Sequence, residues 1–308
     1  MSDSIEAVKP RAIGLVAALS KPEAHQLAAE IRQRIEELGI ELVEEAELSP
    51  NAAKQVDAIL VLGGDGLMMR AAKAYPNAPL LGINFGKVGF LAKVERDHWN
   101  DALDALISGN YTIDESSTLQ ASIHSRRGSE DQGWAINDVV IRSGVRMIDI
   151  ELYIDGYYVN TFPGDGMIVS TSRGSTAYCM AAGGPILTAG VKGFAIVPIS
   201  CHSPIRTPMV AAESAKIDLL FTSRYEATLI LDGRVADELA PDDVVRVRRG
   251  ENLCRLISVG ETDFYAAFRT KFNFRIRPDA EPTRIPESIG SSREGSQENA
   301  RKTSSQQS

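Results

Sequence analysis

A run of apolar residues, Ala58–Leu62, passes straight into Gly63-Gly64-Asp65-Gly66 and then into Met68, Ala71, Ala72 and Tyr75, which share one face of a helix up to Pro76. Glycines at a strand-to-helix turn let a backbone come close to a phosphate, and the unpaired amides of the first helical turn attract anions. A carboxylate there is unexpected, because phosphates repel it unless a divalent cation or a transferable proton compensates. Asp65 is therefore read as a general base or a magnesium-side residue. The alternative is a tight turn in which Asp65 only caps the helix. The run is neither GxGxxG nor a P-loop ending in GK[ST].

Three further groups carry chemistry. Asn137-Asp138 falls within an apparent strand, Ala135–Arg142, where both residue types are depleted. The pair suits a ribose diol, or else marks a bulge or a strand end. Gly164-Asp165-Gly166 either offers a carboxylate to a hydroxyl or amide, or only makes a turn. Gly174-Ser175-Thr176-Ala177-Tyr178 supplies amides, hydroxyls and an aromatic face suited to phosphate and base, or is an N-cap with a core tyrosine. His202 follows an apolar strand and reads as a buried structural histidine, while His25, His98 and His124 fall on expected surfaces. No HExxH motif and no hydrolase triad is present, and no protein-bound zinc site is expected.

These residues need elements to hold them. Ala12–Ala18 reads as a strand and Ser20-Lys-Pro-Glu23 as a capping box, followed by a helix whose apolar face is Ala24, Leu27, Ala28, Ile31, Ile35 and Leu38 and whose stop is Gly39. Leu80–Asn84 is a third strand. This βα rhythm implies a parallel sheet covered on both faces, with ligands beyond the carboxyl ends of its strands. From about residue 118 the pattern changes to short strands, among them Leu119–His124, Ile148–Ile154, Tyr157–Phe162, Met167–Ser170, Ile217–Phe221, Ala227–Leu231 and Val244–Arg248, with turns at Asp155-Gly156 and Asp232-Gly233. The expected fold is an α/β amino-terminal domain with a parallel sheet (1–117) and a mostly β, sandwich-like second domain (118–261). A segment at about 262–277 completes the first domain, and a disordered tail rich in Ser, Gln, Glu and Pro follows (278–308).

Composition sets the outer bounds. The chain has 308 residues, 41 acidic against 33 basic, 44% hydrophobic content and 3 cysteines without a CxxC. Its length allows a core without staples, and the cysteine pattern points to a reducing compartment, so a cytoplasmic protein is expected. The acidic balance argues against a nucleic-acid partner, and the apolar runs are too short to span a membrane.

Taken in order, Gly63-Gly64-Asp65-Gly66, Gly86-Lys-Val-Gly89-Phe90-Leu91, Asn137-Asp138, and Asp165-Gly166 leading to Gly174-Ser-Thr-Ala-Tyr178 and Ala182-Gly-Gly-Pro185 resemble the NAD kinase family in its bacterial form, over roughly residues 12–275. The GGDG loop alone is shared with phosphofructokinases and lipid kinases; the segment around Tyr178 is the more selective. The resemblance implies phosphorylation of NAD by ATP, with magnesium, at the 2′-hydroxyl of the adenosine ribose. It makes Asp65 the base and Gly63 and Gly64 the phosphate loop, and brings the Gly66 backbone close to the substrate. Asn137 and Asp138 would bind the ribose and amide groups of NAD, Asp165 would lie near the nicotinamide, Phe90 would form a wall, Thr176, Ala177 and Tyr178 would line the adenine pocket, and Ser175 is a further substrate-binding candidate. A homodimer or homotetramer is implied as well. Leu67 stands where the family often has Thr, Asp138 where Glu is commoner, and Arg173 where a small residue is usual. Arg70 and Arg173 are candidates to meet a donor phosphate, whether the donor is ATP or polyphosphate. Competing readings are a lipid or sugar kinase with the same loop, and a non-catalytic dinucleotide sensor.

Overall fold

Apolar residues alternate between two cores along the central strand of the amino-terminal half, and this places helices on both of its faces. The structure is a computed structural model that describes residues 10–18, 21–85, 89–125, 128–188, 190–202 and 206–260, all within one unit of the chain, Met1–Ala267. The expected returning segment and tail (262–308) lie outside the described residues. In chain order the first elements are β1 (Ala12–Ala17), α1 (Pro22–Glu37), β2 (Glu41–Glu44), α2 (Ala52–Gln55), β3 (Ala58–Leu62), α3 (Asp65–Ala74), β4 (Pro79–Asn84), β5 (Val94–Glu95) and α4 (Trp99–Ser108). Strands β2, β1, β3 and β4 lie side by side and parallel. Ile59 and Val61 of β3 pack with Met68, Ala71, Ala72 and Tyr75 of α3. Ala58, Leu60 and Leu62 pack with α1 and with Ala102, Leu103 and Leu106 of α4. The continuous apolar run of β3 thus serves two layers, as a parallel strand requires.

The remaining elements are β6 (Tyr111–Ser125), β7 (Gly128–Ala135), β8 (Asp138–Ser143), β9 (Ile148–Ile154), β10 (Tyr157–Gly164), β11 (Gly166–Ser170), α5 (Tyr178–Ala181), β12 (Gly193–Ile199), β13 (Met209–Ala212), β14 (Ile217–Phe221), β15 (Ala227–Leu231), β16 (Arg234–Leu239) and β17 (Val244–Val259). A second sheet has the order β13-β12-β11-β8-β15-β16 and is antiparallel throughout. One of its faces presents Val139, Ile141, Met167, Val169, Ile196 and Leu229 to a core shared with β6, β9, β14 and β17 of the first sheet. Its other face, with Val140, Ile168 and Val197, is covered by the segment carrying Tyr178, Cys179 and Leu187. The fold is an α/β domain with parallel strands joined to a mostly antiparallel β domain whose two sheets face one another.

The junction is β17. Along one edge it pairs antiparallel with β6 over nearly its whole length. On the other edge its first half pairs antiparallel with β14, and its second half runs parallel to β4 through Arg255↔Pro79 and Leu256↔Leu80. One strand therefore splices the parallel sheet to the antiparallel one. Sequence patterning finds only its first half, Val244–Arg248, because Arg248, Arg249 and Glu251 interrupt the alternation where the register shifts between Arg249 and Leu253.

The expected capping box rests on Ser20, which lies outside the described residues; helix α1 itself has Lys21 as N-cap and Pro22 in the first turn. One local expectation changes. The run Ala135–Arg142 is two strands, β7 and β8, broken at Ile136-Asn137. Both Asp-Gly dipeptides do turn the chain, with positive φ at Asp155, Gly156, Asp232 and Gly233, the twist a tight hairpin needs.

Leu60 is 1% exposed in the middle of β3. Leu60→Ala should cost about 2–5 kcal/mol in denaturant unfolding; a loss well below about 1 kcal/mol would show that α1 and α4 do not close over that face.

Candidate active site

Asp65 is the first residue of α3, and its carboxylate reaches away from its own helix. It accepts hydrogen bonds from the backbone N–H groups of Phe90 (3.0 Å), Leu91 (3.0 Å) and Ala92 (3.2 Å), the segment that follows β4. Sequence reasoning offered a base or a helix cap; the structure adds a third function, holding the Phe90–Ala92 loop against the phosphate-type turn. The approach is so close that a Cβ on Gly89 would lie 1.9 Å from Asp65 Oδ1, which explains a glycine there. A carboxylate in a first helical turn also gains from the helix dipole. Gly63 is buried and Gly64 half-buried, while Gly66 is exposed, so its backbone is open to a ligand. Leu67, in place of a hydroxyl side chain, packs partly buried against the α3 core beside Gly63.

The Phe90 loop forms one wall of a cleft of about 270 Å³, whose other walls include Lys93, Asp114, Arg173, Thr176 and Leu187. Three of the sequence-derived residues, Phe90, Arg173 and Thr176, therefore meet there. Arg173 is only 11% exposed at its side chain; it forms an ion pair with Asp114 (3.1 Å) and donates to the Ser116 hydroxyl. Lys93 approaches the same Asp114 carboxylate at 3.9 Å and donates to Ser258 Oγ (3.1 Å). Burial lowers the Lys93 pKa below its ordinary value, with Asp114 opposing the shift. Arg70 is placed differently: it forms an ion pair with Glu45 at 2.6 Å, outside the residues that line this cleft.

Asn137 and Asp138 lie where β7 gives way to β8, so the strand-end geometry is real and coexists with burial of the carboxyl group, Asp138 being 5% exposed. Burial, helped by the neighbouring Asp232 carboxylate, raises the Asp138 pKa to about 7. The backbone is pinned from below by Thr171, whose N–H donates to the Asn137 carbonyl (2.9 Å) and whose hydroxyl donates to the Ile136 carbonyl (2.7 Å). Gly174 is required by the same closeness, since a Cβ there would lie 2.1 Å from Asn137 O.

In the segment that follows, Ser175 is fully buried, and its hydroxyl donates to Ser172 O (2.6 Å) and accepts from Leu187 N (3.0 Å). Its hydroxyl holds the loop rather than facing the cleft. Thr176, Ala177 and Tyr178 are half-buried, and the Tyr178 ring packs against the outer core of the second sheet with the Arg142 guanidinium 5.9 Å from its centre. Asp165 is exposed before β11, whereas Asp138 pairs with Ser170 at that strand's far end. At about 3.3 Å per residue, roughly 16 Å separates them, so one chain does not bring Asp165 beside the Asn137-Asp138 pair. Glycines 164 and 166 are forced by backbone approaches to Ile199 O (2.7 Å) and Ile141 O (2.0 Å). His202 is exposed, contrary to its expected burial; its backbone N–H still donates to the Pro163 carbonyl (2.7 Å).

Two residues were not singled out beforehand as site residues. Asn84 is buried at the carboxyl end of β4 with its side-chain oxygen facing Gly64; the rule that ligands sit beyond strand carboxyl ends signals it. Asp232 was read only as a turn residue. Among the described residues there is no helix long and apolar enough to cross a membrane, and no cluster of three or more His, Cys, Asp and Glu that could hold a metal.

Comparison with known proteins settles the family. The model described as the ATP-NAD kinase N-terminal domain matches residues 20–111, and the one described as the ATP-NAD kinase C-terminal domain matches 136–259. The NAD kinase of Thermomicrobium roseum is 52% identical over 274 residues, spanning 89% of this chain and 95% of that protein. This chain belongs to the NAD kinase family. The NAD kinase of Heliobacterium modesticaldum is 36% identical over 276 residues, spanning 84% of this chain and 97% of that protein. Among solved structures, yeast NADH kinase complexed with NADH superposes with a TM-score of 0.77 at 17% identity, covering 90% of each chain. An NAD kinase from Archaeoglobus fulgidus in complex with ATP gives 0.67 at 23% identity, covering 85% of this chain and 96% of that one. At such identities the likeness concerns the fold, and it extends across both domains of the family.

The raised pKa of Asp138 makes a signed expectation. Its native value lies above the roughly 4 of an unfolded aspartate, so the native state binds the extra proton between the two values and stability falls as pH rises from about 4 to about 7. Asp138→Asn removes this slope. Its melting temperature relative to the parent should therefore rise from about pH 5 to about pH 8; a constant difference would show that Asp138 titrates normally.

Proposed function

We propose that this NAD kinase family member transfers the γ-phosphoryl group of ATP to the 2′-hydroxyl of the adenosine ribose of NAD, giving NADP, with Asp65 as the base. The observation that carries this reading is the Asp65 carboxylate at the start of α3, bonded to the very loop whose Phe90 lines the cleft. As the 2′-oxygen attacks phosphorus, the new O–P bond forms, the bond from phosphorus to the β,γ-bridging oxygen breaks, ADP leaves, and the hydroxyl proton passes to a carboxylate oxygen of Asp65. Phosphoryl transfer gains chiefly from alignment and charge neutralisation. Amides at the Gly63–Gly66 turn face the donor phosphates, and Arg173 is the cation in the cleft assigned to them. Magnesium enters as part of the MgATP substrate, held mainly by ATP oxygens.

Asn137 and Asp138 are assigned to the ribose and amide groups of NAD, and Thr176, Ala177 and Tyr178 to its adenine side. Asp165 is kept for the nicotinamide end. Its distance from Asp138 within one chain favours a homo-oligomer in which a second copy contributes it. Three free, buried cysteines, Cys179, Cys201 and Cys254, support a reducing compartment and hence the cytoplasm.

Purified protein given NAD, magnesium, and either ATP or polyphosphate, with NADP measured by a specific dehydrogenase, should form NADP with ATP. Binding of NAD without NADP formation would instead identify a sensor. Asp65→Asn should lower kcat by about 10²–10⁴-fold while NAD binding stays measurable; full turnover in that variant would remove Asp65 from the chemistry.

A further inference from the structure

Asp232 has a second set of bonds that its turn does not require. It stands at φ 50° in the Asp232-Gly233 hairpin between β15 and β16. Its carboxylate reaches back to three consecutive backbone N–H groups, Ile136 (2.9 Å), Asn137 (2.7 Å) and Asp138 (3.3 Å), and its own N–H donates to the Asp138 carbonyl (3.1 Å). With the Ile136 and Asn137 carbonyls bound from the other side by Thr171, this tripeptide is gripped on both its donor and its acceptor groups.

The gripping charge is itself braced. The Asp232 side chain is 10% exposed, and Lys73 Nζ lies 3.6 Å from Oδ2. The same ammonium donates to the Trp134 carbonyl and sits 4.7 Å from the Trp134 ring centre, just ahead of the gripped tripeptide. Lys73 belongs to α3, eight residues beyond Asp65 and about 12 Å along the same rigid helix at 1.5 Å per residue. A continuous path of bonded groups thus runs from Asp65 along α3 to Lys73, Asp232 and the Asn137-Asp138 backbone, crossing from the α/β domain to the β domain.

We propose that Asp232, braced by Lys73, is a positioning residue that fixes the Asn137-Asp138 segment relative to the Asp65 helix, and so sets the dinucleotide ribose against the base. This rests on the assignment of Asn137 and Asp138 to NAD. Neither Lys73 nor Asp232 needs to touch a substrate. Their part is to keep two halves of one site in register, where small displacements carry large kinetic costs.

Steady-state kinetics with NAD and ATP varied separately tests this. Asp232→Asn retains a residue type that tolerates positive φ but places an amide donor among N–H donors. It should raise the KM for NAD about tenfold or more while the KM for ATP stays within about twofold. Lys73→Met, at a side chain 37% exposed, should raise the NAD KM by a smaller factor, and Lys73→Arg should restore it. The double variant should be no worse than Asp232→Asn alone, because Lys73 acts through Asp232. Asn137→Ala is the control for the underlying assignment. If it raises the NAD KM while both Asp232→Asn and Lys73→Met leave it unchanged, the positioning role is overturned. If Asn137→Ala also leaves it unchanged, the assignment of the pair to NAD falls first and the positioning role falls with it. Should Asp232→Asn not fold, Lys73→Met and its arginine rescue decide alone.

Discussion

Everything at the candidate site depends on one carboxylate accepting three backbone N–H bonds across a gap between two loops. Asp65 stands at the positive end of α3, yet its bonds go to Phe90, Leu91 and Ala92. That choice closes the crevice beyond β3 and β4, leaves no room for a side chain at Gly89, and sets Phe90 as a wall of the cleft. In the role proposed for it, Asp65 would benefit from being held before the substrate arrives, since fixed dipoles then need no rearrangement during the reaction, and its carboxylate would meet a hydroxyl while still oriented by these amides.

A second constraint acts at the scale of domains. Residues that a kinase needs close together come from a parallel α/β sheet and from an antiparallel β domain. Strand β17 joins them without a flexible linker, by pairing with β14 and then with β4 along one edge. Strand β6 follows it along the other edge. Strand β6 pairs with β17 on both sides of the register shift between Arg249 and Leu253, and these two strands supply Asp114, Ser116, Arg249 and Leu253 to the cleft between the Phe90 loop and the Arg173 segment. Arg173 and Lys93, both directed at Asp114, put positive charge into that cleft in a chain whose formal net charge is −8.

Much of this was legible in the residues. The limits of β3, β9, β14 and β15 follow from apolar patterning, because each is bounded by turn residues and buried on one or both faces. Asp65 and the glycines around it stood out as candidates because a carboxylate in a phosphate-type turn is chemically conspicuous. What escaped detection has a common cause: long-range bonding that no local pattern records. The break at Ile136-Asn137 lies within an apolar run, and only the distant Asp232 and Thr171 show why the strand stops there. Asp232 looked like any Asp in an Asp-Gly hairpin. Ser175 looked like a ligand group because its hydroxyl's partners, Ser172 and Leu187, are fixed by the fold of the loop. Arg70 is on the helix that Asp65 starts, but Glu45 claims it.

The most direct measurement is a crystal structure of the protein with NAD and a non-hydrolysable ATP analogue bound. An adenosine 2′-oxygen within about 2.6–3.2 Å of an Asp65 carboxylate oxygen, with the γ-phosphorus analogue in line behind it, is the expected result. A bound dinucleotide whose adenosine ribose lies out of reach of the Asp65 carboxylate would contradict it.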